Sequence, residues 1–262
     1  MSPEAPGDKA IPPSIDFMIR SDEIAEGYDD VFTTRHPLFT YDLKVLARWF
    51  DRPGRLLDLG CGTGRVMLDF GRRGFEVTGV DLSPGMLRIA RRKLDEAGLA
   101  GAKLLKEDLL DLPAERLNPP YDYAVCLLTL GYIQGHENRV RAVRQAAALL
   151  RPGGEYVFHV WSLYYNLLSL HLPWILTGLA RWAVGRGEVG DQILWKYRNI
   201  YWMYMHAFRL KEIEKLVRDA GMDLAEVGYI NRKSDGPLEG GRPSEWRSNG
   251  FFVRCRRPAE DR

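Results

Sequence analysis

The sequence predicts an α/β fold, an open and mostly parallel sheet with helices on both faces, and three observations lead there. Short apolar runs begin near residues 56, 76, 103, 123 and 156, with stretches of helical spacing between them, the alternation of a parallel doubly covered sheet. Three glycines at alternate positions, Gly60, Gly62 and Gly64, join the first apolar run to the first of those helices. Acids then stand at or just past the ends of the next two runs, at Asp81 and Asp108, where open parallel sheets receive ligands. A chain of 262 residues has material for one large core carrying an insertion.

Taken in order, residues 1–13 read as a mobile Pro-rich tail without the apolar stretch of a signal peptide. Residues 14–54 read as a helical cap broken at His36-Pro37, with Leu38, Tyr41, Leu46, Trp49 and Phe50 offering a face to the sheet. The stretch Tyr28 to His36 gathers aromatic, basic and hydroxyl groups. It either folds over one end of a ligand or simply packs. A ligand-binding core is expected over residues 55–160, a helical and aromatic lid over 161–207, and a C-terminal helix with edge strands over 208–262.

The core opens with R-L-L-D-L-G-C-G-T-G-R, Arg55 to Arg65. A buried strand, a turn without side chains and a helix N-terminus together make a nucleotide-type site. Glycine lets a ligand lie against the backbone, and the helix start supplies unpaired N–H groups. The dinucleotide fingerprint wants its third glycine where Arg65 stands. An acid, Asp58, also precedes the loop; it would repel a pyrophosphate and suits a ligand with an ammonium group. This D-x-G-x-G-x-G pattern resembles the first motif of class I (Rossmann-like) S-adenosylmethionine-dependent methyltransferases, of the small-molecule type 11 kind.

Beyond the loop, Phe75 to Ser83 forms the second strand, with Asp81 at its carboxyl end and 21 residues after Gly60, the interval of a ribose-binding acid. Ser83-Pro84 caps and starts a helix running to about Ala97. Met86 lies on its first turn, against an adenine face or in the core. Asp108 follows the third strand, as an acceptor for the adenine amine or as a solvated loop acid. Asn118-Pro119-Pro120-Tyr121 spells the tetrapeptide of amino-methylating nucleic-acid enzymes. It precedes the fourth strand where that family has it after, so it reads as punctuation. The residues past that strand are Thr129, Leu130, Gly131, Tyr132, Ile133 and Gln134. A helix over Glu137 to Leu150 ends at Arg151-Pro152-Gly153-Gly154, before a fifth strand over Glu155 to Trp161. L-L-R-P-G-G-E-Y-V-F again resembles the methyltransferase family.

From Tyr156 to Ala180 there is no Lys, Arg, Asp or Glu. Polar Asn166, Ser169 and His171 together with Pro173 argue against a spanning helix. A lid over an apolar substrate, an amphipathic helix in peripheral contact with lipid, and a dimer contact stay open. Trp195, Tyr197, Tyr201, Trp202, Tyr204 and His206 then alternate with Lys196 and Arg198, a mixture that lines small-molecule pockets or stacks bases. A helix from Leu210 to Ala220 and strands over Met222 to Ile230 and Phe251 to Arg256 complete the chain. Thirty-seven basic and 35 acidic residues leave a net charge of +2, which argues against a nucleic-acid partner. Cys61, Cys126 and Cys255 have no paired spacing, so reduced thiols and a cytoplasmic location are expected.

The resemblance implies a doubly wound sheet of seven strands with the last antiparallel, and an insertion after the fifth. It implies S-adenosyl-L-methionine as methyl donor and S-adenosyl-L-homocysteine as product. By position, Asp58 with Gly60, Cys61, Gly62 and Gly64 would hold the methionine part, Asp81 with Leu82 the ribose, and Asp108 with Leu109 the adenine. Met86 would lie beside the adenine, and backbone at Leu128 and Thr129 would meet the ammonium group. His159, late on the fifth strand, and Tyr132, after the fourth, are the candidates for a base, with structural roles as the alternative. No histidine–carboxylate cluster has metal-ligand spacing, so no metal is expected. The expected function is methyl transfer to an apolar or aromatic small molecule. A tRNA-modifying methyltransferase and a non-catalytic cofactor-binding scaffold are the alternatives, and the oligomeric state is not legible.

Overall fold

A computed structural model describes residues 12–30, 36–164, 172–185, 187–197, 200–239 and 245–259. The expected tail therefore lies almost wholly outside the described residues, as do Asn166, Ser169 and His171 of the insertion. Helices α1 (Pro13–Arg20), α2 (Asp22–Tyr28) and α3 (Leu38–Trp49) lead in. The alternating core follows as β1 (Arg55–Leu59), α4 (Arg65–Arg72), β2 (Glu76–Asp81), α5 (Pro84–Glu96), β3 (Lys103–Lys106), α6 (Ala114–Leu117), β4 (Tyr121–Leu127), α7 (His136–Leu149) and β5 (Leu150–Trp161). The insertion contributes α8 (Leu172–Ala183), β6 (Asp191–Tyr197) and β7 (Ile200–His206). Helix α9 (Leu210–Asp219) and strands β8 (Asp223–Tyr229) and β9 (Gly250–Arg256) complete the core.

Seven strands pair in the order β3-β2-β1-β4-β5-β9-β8. Pairs from β3 to β5 are parallel, while β9 is antiparallel to both β5 and β8. The order of winding reverses between β1 and β4, and a crevice opens there at the carboxyl ends of the strands. Both faces of the sheet are apolar because helices cover both. Leu46, Trp49, Met67, Phe70 and Leu94 of α3, α4 and α5 cover one face. Val140, Val143, Leu149, Ile213 and Leu216 of α7 and α9 cover the other.

Two boundaries differ from expectation. Strand β5 begins at Leu150, because Tyr121 pairs with Leu150 before the register shifts at Tyr123. The second half of the insertion is a β-hairpin where a helical lid was expected, with β6 and β7 antiparallel from Asp191↔His206 to Tyr197↔Ile200. Its aromatic and β-branched residues favour a pleated surface. Leu194 and Met203 pack with Ile15 of α1, alongside Met18, Ile19, Tyr132 and Met205, so the hairpin and α1 together roof the crevice. Among the described residues no helix is long and apolar enough to cross a membrane.

A cluster of charge anchors the root of that hairpin. Buried His206 points Nδ1 at Asp191 (2.7 Å) and Nε2 at Glu212 of α9 (2.6 Å). With a carboxylate on each ring nitrogen, both nitrogens must donate, so the ring is an imidazolium. Burial works against that charge, but the two hydrogen bonds outweigh it and raise the His206 pKa. Fully buried Arg139 of α7 pairs with Glu188 and donates to the Ile133 carbonyl at 3.0 Å. Glu188, His206 and Glu212 could otherwise suggest a cation site, yet Arg139 already reaches both glutamates.

Candidate active site

The glycine loop is held by its neighbours. Gly60, Gly62 and Gly64 all have positive φ (76°, 51° and 80°), which side chains resist. A Cβ on Gly60 would lie 2.2 Å from Thr129 Oγ1, so the loop abuts the end of β4. A Cβ on Gly62 would meet nothing within 4 Å, because that residue faces the crevice. Asp81 pins the loop from the next strand. Its Oδ2 accepts from the Gly62 N–H and its Oδ1 from the Ser83 N–H, both at 2.8 Å. Burial raises the Asp81 pKa, and those backbone donors pull the other way. Ser83 caps α5 by accepting from the Met86 N–H at 3.3 Å.

The crevice encloses a cavity of about 210 Å³ bounded by Gly60, Gly62, Asp81, Leu82, Met86, Asp108, Leu109, Leu128 and Thr129 at one end. A smaller lobe shares Gly60, Gly62, Leu127 and Leu128 with it and adds Asp58, Cys61, Thr63 and Arg65. Asp81 and Asp108 thus border the cavity, and Asp58 borders the smaller lobe beside it. Asp58 is only 3% exposed and its Oδ2 has no hydrogen-bond partner. Burial raises this carboxyl to about 7, opposed by Arg65 and assisted by Asp81. A buried carboxylate without a partner is costly, and a cationic ligand group would relieve that cost. Arg65 does not relieve it by contact: its guanidinium pairs with buried Asp42 at 2.8 Å and with the Phe39 carbonyl at 2.5 Å. Asp108 accepts the Leu110 N–H at 2.9 Å, which turns the chain after β3. Leu128 has φ of 60° and donates its N–H to the His159 carbonyl at 3.0 Å.

The far wall is different in kind. Ile15, Met18 and Ile19 of α1, Leu38 of α3, Ile133, Trp161 and Met203 form it, while Phe39 of α3 also borders the smaller lobe beside Asp58. Tyr132, Gln134, Asn138 and His36 supply its polar atoms, and Tyr28 borders both this cavity and the smaller lobe. His36 accepts the Leu38 N–H on Nδ1 at 3.3 Å.

Tyr132 borders the cavity; His159 does not. The His159 side chain is fully buried, lies against Phe252 with ring centroids 4.6 Å apart, and comes no nearer a partner than 3.5 Å from Asp42. The reason is strand geometry. Trp161 shares a strand face with His159 and reaches the cavity, while His159 sits two residues, roughly 6.6 Å, deeper under the rim. It is therefore no base for a bound substrate. The tetrapeptide Asn118–Tyr121 leads into β4 at the end remote from Leu127 and Leu128. Sequence reading missed α1 as a wall, although Ile15, Met18 and Ile19 carry the i, i+3, i+4 signature of a helix face.

Comparison with known proteins agrees with this geometry. A family model described as a methyltransferase domain matches residues 56–154. The chain is 34% identical over 175 residues to the ubiquinone biosynthesis O-methyltransferase of Azoarcus sp. (strain BH72), covering 66% of each. It is 28% identical over 141 residues to the putative methyltransferase YqeM of Bacillus subtilis (strain 168), covering 53% of this chain and 55% of that protein. Matches to curated relatives span between 30 and 67% of their lengths. A crystal structure of an S-adenosylmethionine-dependent methyltransferase from Methanosarcina mazei superposes with a TM-score of 0.66 at 20% identity, covering 82% of this chain and 98% of that one. The loop, the three strand-end acids, the seven-strand order and these matches agree: the chain belongs to the class I S-adenosylmethionine-dependent methyltransferases.

Proposed function

We propose that this protein moves a methyl group from S-adenosylmethionine to an apolar, ring-bearing small molecule. The observation that carries the reading is the asymmetry of the cavity: carboxylates and glycine backbone at one end, aliphatic and aromatic side chains at the other. The first end fits the cofactor. Asp58 has a buried oxygen without a partner where an ammonium group is needed, and the open space over Gly62 admits a ligand against the backbone. In this reading Asp58 takes the ammonium group, the Gly60–Gly64 loop with Cys61 lies beneath the methionine chain, and Leu128 and Thr129 close over it. Asp81, with Leu82, accepts from the ribose hydroxyls. Asp108 and Leu109 receive the adenine, and Met86 lies on its face.

When bound, the cofactor supplies a methyl group on a positively charged sulfur, ready for in-line displacement. The far wall then does three things. Leu38, Trp161 and Met203 exclude water, Ile15 and Ile19 hold the acceptor in line, and Tyr132 sits where a hydrogen bond can orient it. An acceptor that is already a phenolate or a stabilised carbanion requires no base. His36, which borders the cavity, replaces His159 as the histidine placed to meet a proton there. The quinone-pathway name of the Azoarcus relative is consistent with such an acceptor.

The test is transfer of a labelled methyl group from S-adenosylmethionine to a panel of prenylated and unprenylated catechols, polar amines and tRNA. Turnover confined to the apolar rings supports the reading. Turnover on tRNA alone, or cofactor binding with no transfer to any class, overturns it.

A further inference from the structure

Tyr132, Ile133 and Gln134 border the cavity from a segment that its own sequence does little to fix. Gly131 and Gly135 bracket the three residues, and glycine admits many backbone conformations. A short helical turn over Leu130–Tyr132 is closed by the Tyr132 N–H on the Thr129 carbonyl at 2.9 Å. The Ile133 N–H follows on the Leu130 carbonyl at 3.2 Å. Helix α7 then starts without a cap of its own. Gly135 stands at its cap position and has no side chain to bond the N–H groups of the first turn.

A distant carboxylate supplies that cap. Glu188, between α8 and β6, accepts the His136 N–H on Oε1 at 2.7 Å and pairs with Arg139 through Oε2. Arg139 extends the tie by donating to the Ile133 carbonyl at 3.0 Å. Asn138, on the same turn of α7, donates to the Gln134 carbonyl at 2.9 Å and itself borders the cavity. Glu188 is fixed from behind as well. Its N–H donates to Asp191 Oδ2 at 2.8 Å, and its carbonyl accepts the Asp191 N–H at 3.0 Å. Gly190 sits so close to the end of β7 that a Cβ there would lie 2.2 Å from the Ala207 carbonyl oxygen.

We propose that Glu188 is a positioning residue for the methyl acceptor, holding Tyr132, Ile133 and Gln134 against the cavity through the turn that carries them. The inference rests on the methyltransferase reading above and deepens it. Glu188 borders neither the cavity nor the lobe, so it acts on the acceptor only through the wall. The cofactor end has separate supports, since Asp81 pins Gly62 and Thr129 abuts Gly60. Loss of Glu188 is therefore felt on the acceptor side. The fold tolerates that loss, because Glu188 is partly exposed and Arg139 keeps Glu212 at 3.4 Å.

The experiment compares wild type, Glu188→Ala and Glu188→Gln in three measurements on the full chain. These are steady-state methyl transfer to the catechol that wild type turns over fastest, S-adenosylhomocysteine binding, and amide hydrogen exchange of the S-adenosylhomocysteine complex. Glu188→Ala is expected to raise the acceptor KM about tenfold with kcat within about twofold, because a loosened wall loses binding shared by ground and transition states. Affinity for S-adenosylhomocysteine should not change. Exchange at residues 131–138 should quicken about tenfold, with β1 and β4 as protected as before. Glu188→Gln keeps an oxygen for the His136 N–H and should leave KM about threefold above wild type. A wild-type acceptor KM in Glu188→Ala overturns the proposal, as does a loss of S-adenosylhomocysteine affinity that matches the rise in KM. A Gln variant no better than the Ala variant overturns it too. If wild type binds the cofactor product and methylates no acceptor, the methyltransferase reading fails by itself. Exchange then judges the tie alone, and equal rates at 131–138 in wild type and Glu188→Ala overturn it.

Discussion

Two groups of buried charge differ in one respect: the group at the glycine loop leaves oxygen and nitrogen atoms open, and the group at the hairpin root is nearly closed. At the loop, Asp58 Oδ2, Asp42 Oδ1 and both ring nitrogens of His159 lack hydrogen-bond partners. At the root, Asp191, Glu188, Glu212, His206 and Tyr204 satisfy one another around Arg139, with only the Arg139 Nε left over. Native proteins leave few buried polar atoms unpaired. Open atoms that border a cavity, as at Asp58, are free to pair with a ligand, as proposed above, and closed ones hold structure. His159 is the instructive exception, open but bordering no cavity, and so assigned to neither role.

The largest effect expected is at the closed group. Arg139→Met removes the ion-pair partner of Glu188 and Glu212 and should cost about 3 kcal/mol in chemical denaturation, with cofactor affinity retained once the protein is folded. A loss of affinity without a loss of stability would erase the distinction. Asp58→Asn should do the opposite, weakening S-adenosylhomocysteine binding about 100-fold in calorimetry while leaving the fold as stable as before or more so.

Titration separates the groups further. The Asp58 carboxyl, raised to about 7 by burial, costs the ligand-free protein stability. That cost is absent below its unfolded value of about 4 and complete above its folded value of about 7. Cofactor affinity should therefore fall as pH drops below about 7, because the acid must ionise to meet an ammonium group. At the root, hydrogen bonds raise the pKa of His206, and its stabilisation is present below its unfolded value and lost as pH rises through the folded one. The pKa values of Asp191 and Glu212 are lowered, chiefly by His206 working against burial, so their stabilisation is lost in acid. Denaturation across pH should show the root strongest in the middle range. Flat stability in His206→Gln and wild type alike would remove the ion cluster from the account.

Smaller effects test the edges. Gly62→Ala should cost about 1 kcal/mol of stability through its positive φ and much more in cofactor affinity, since its Cβ would occupy the ligand's space. Gly60→Ala should lose more stability than Gly62→Ala, because its Cβ meets Thr129. His159→Phe should be the mildest, within about 1 kcal/mol of wild type and with turnover retained. A large fall in turnover with a changed pH profile would return His159 to the mechanism.

Much of the sheet and of the cofactor end is legible in sequence because each signal there is local. Apolar runs of strand length, Ser83-Pro84 at a helix start, three alternate glycines and acids at strand ends all act within a few residues of themselves. The insertion was not so legible. Its uncharged aromatic character was visible, yet a helix and a hairpin draw on the same residues when the apolar run is short, and only pairing of Asp191 with His206 settles which forms. The apolar wall of the cavity was also hidden, since α1, α3, the Tyr132 turn and β7 meet there from segments far apart in the chain.

What the sequence by itself determined is the order of the core elements and the pattern of the glycine loop. Tertiary structure alone decided that Trp161 and not His159 reaches the cavity, that Arg139 and His206 close into one cluster, and that β6 and β7 pair as a hairpin against α1. The reason is common to all three. Local spacing says which residues share a face, and only packing against distant parts of the chain says what that face meets.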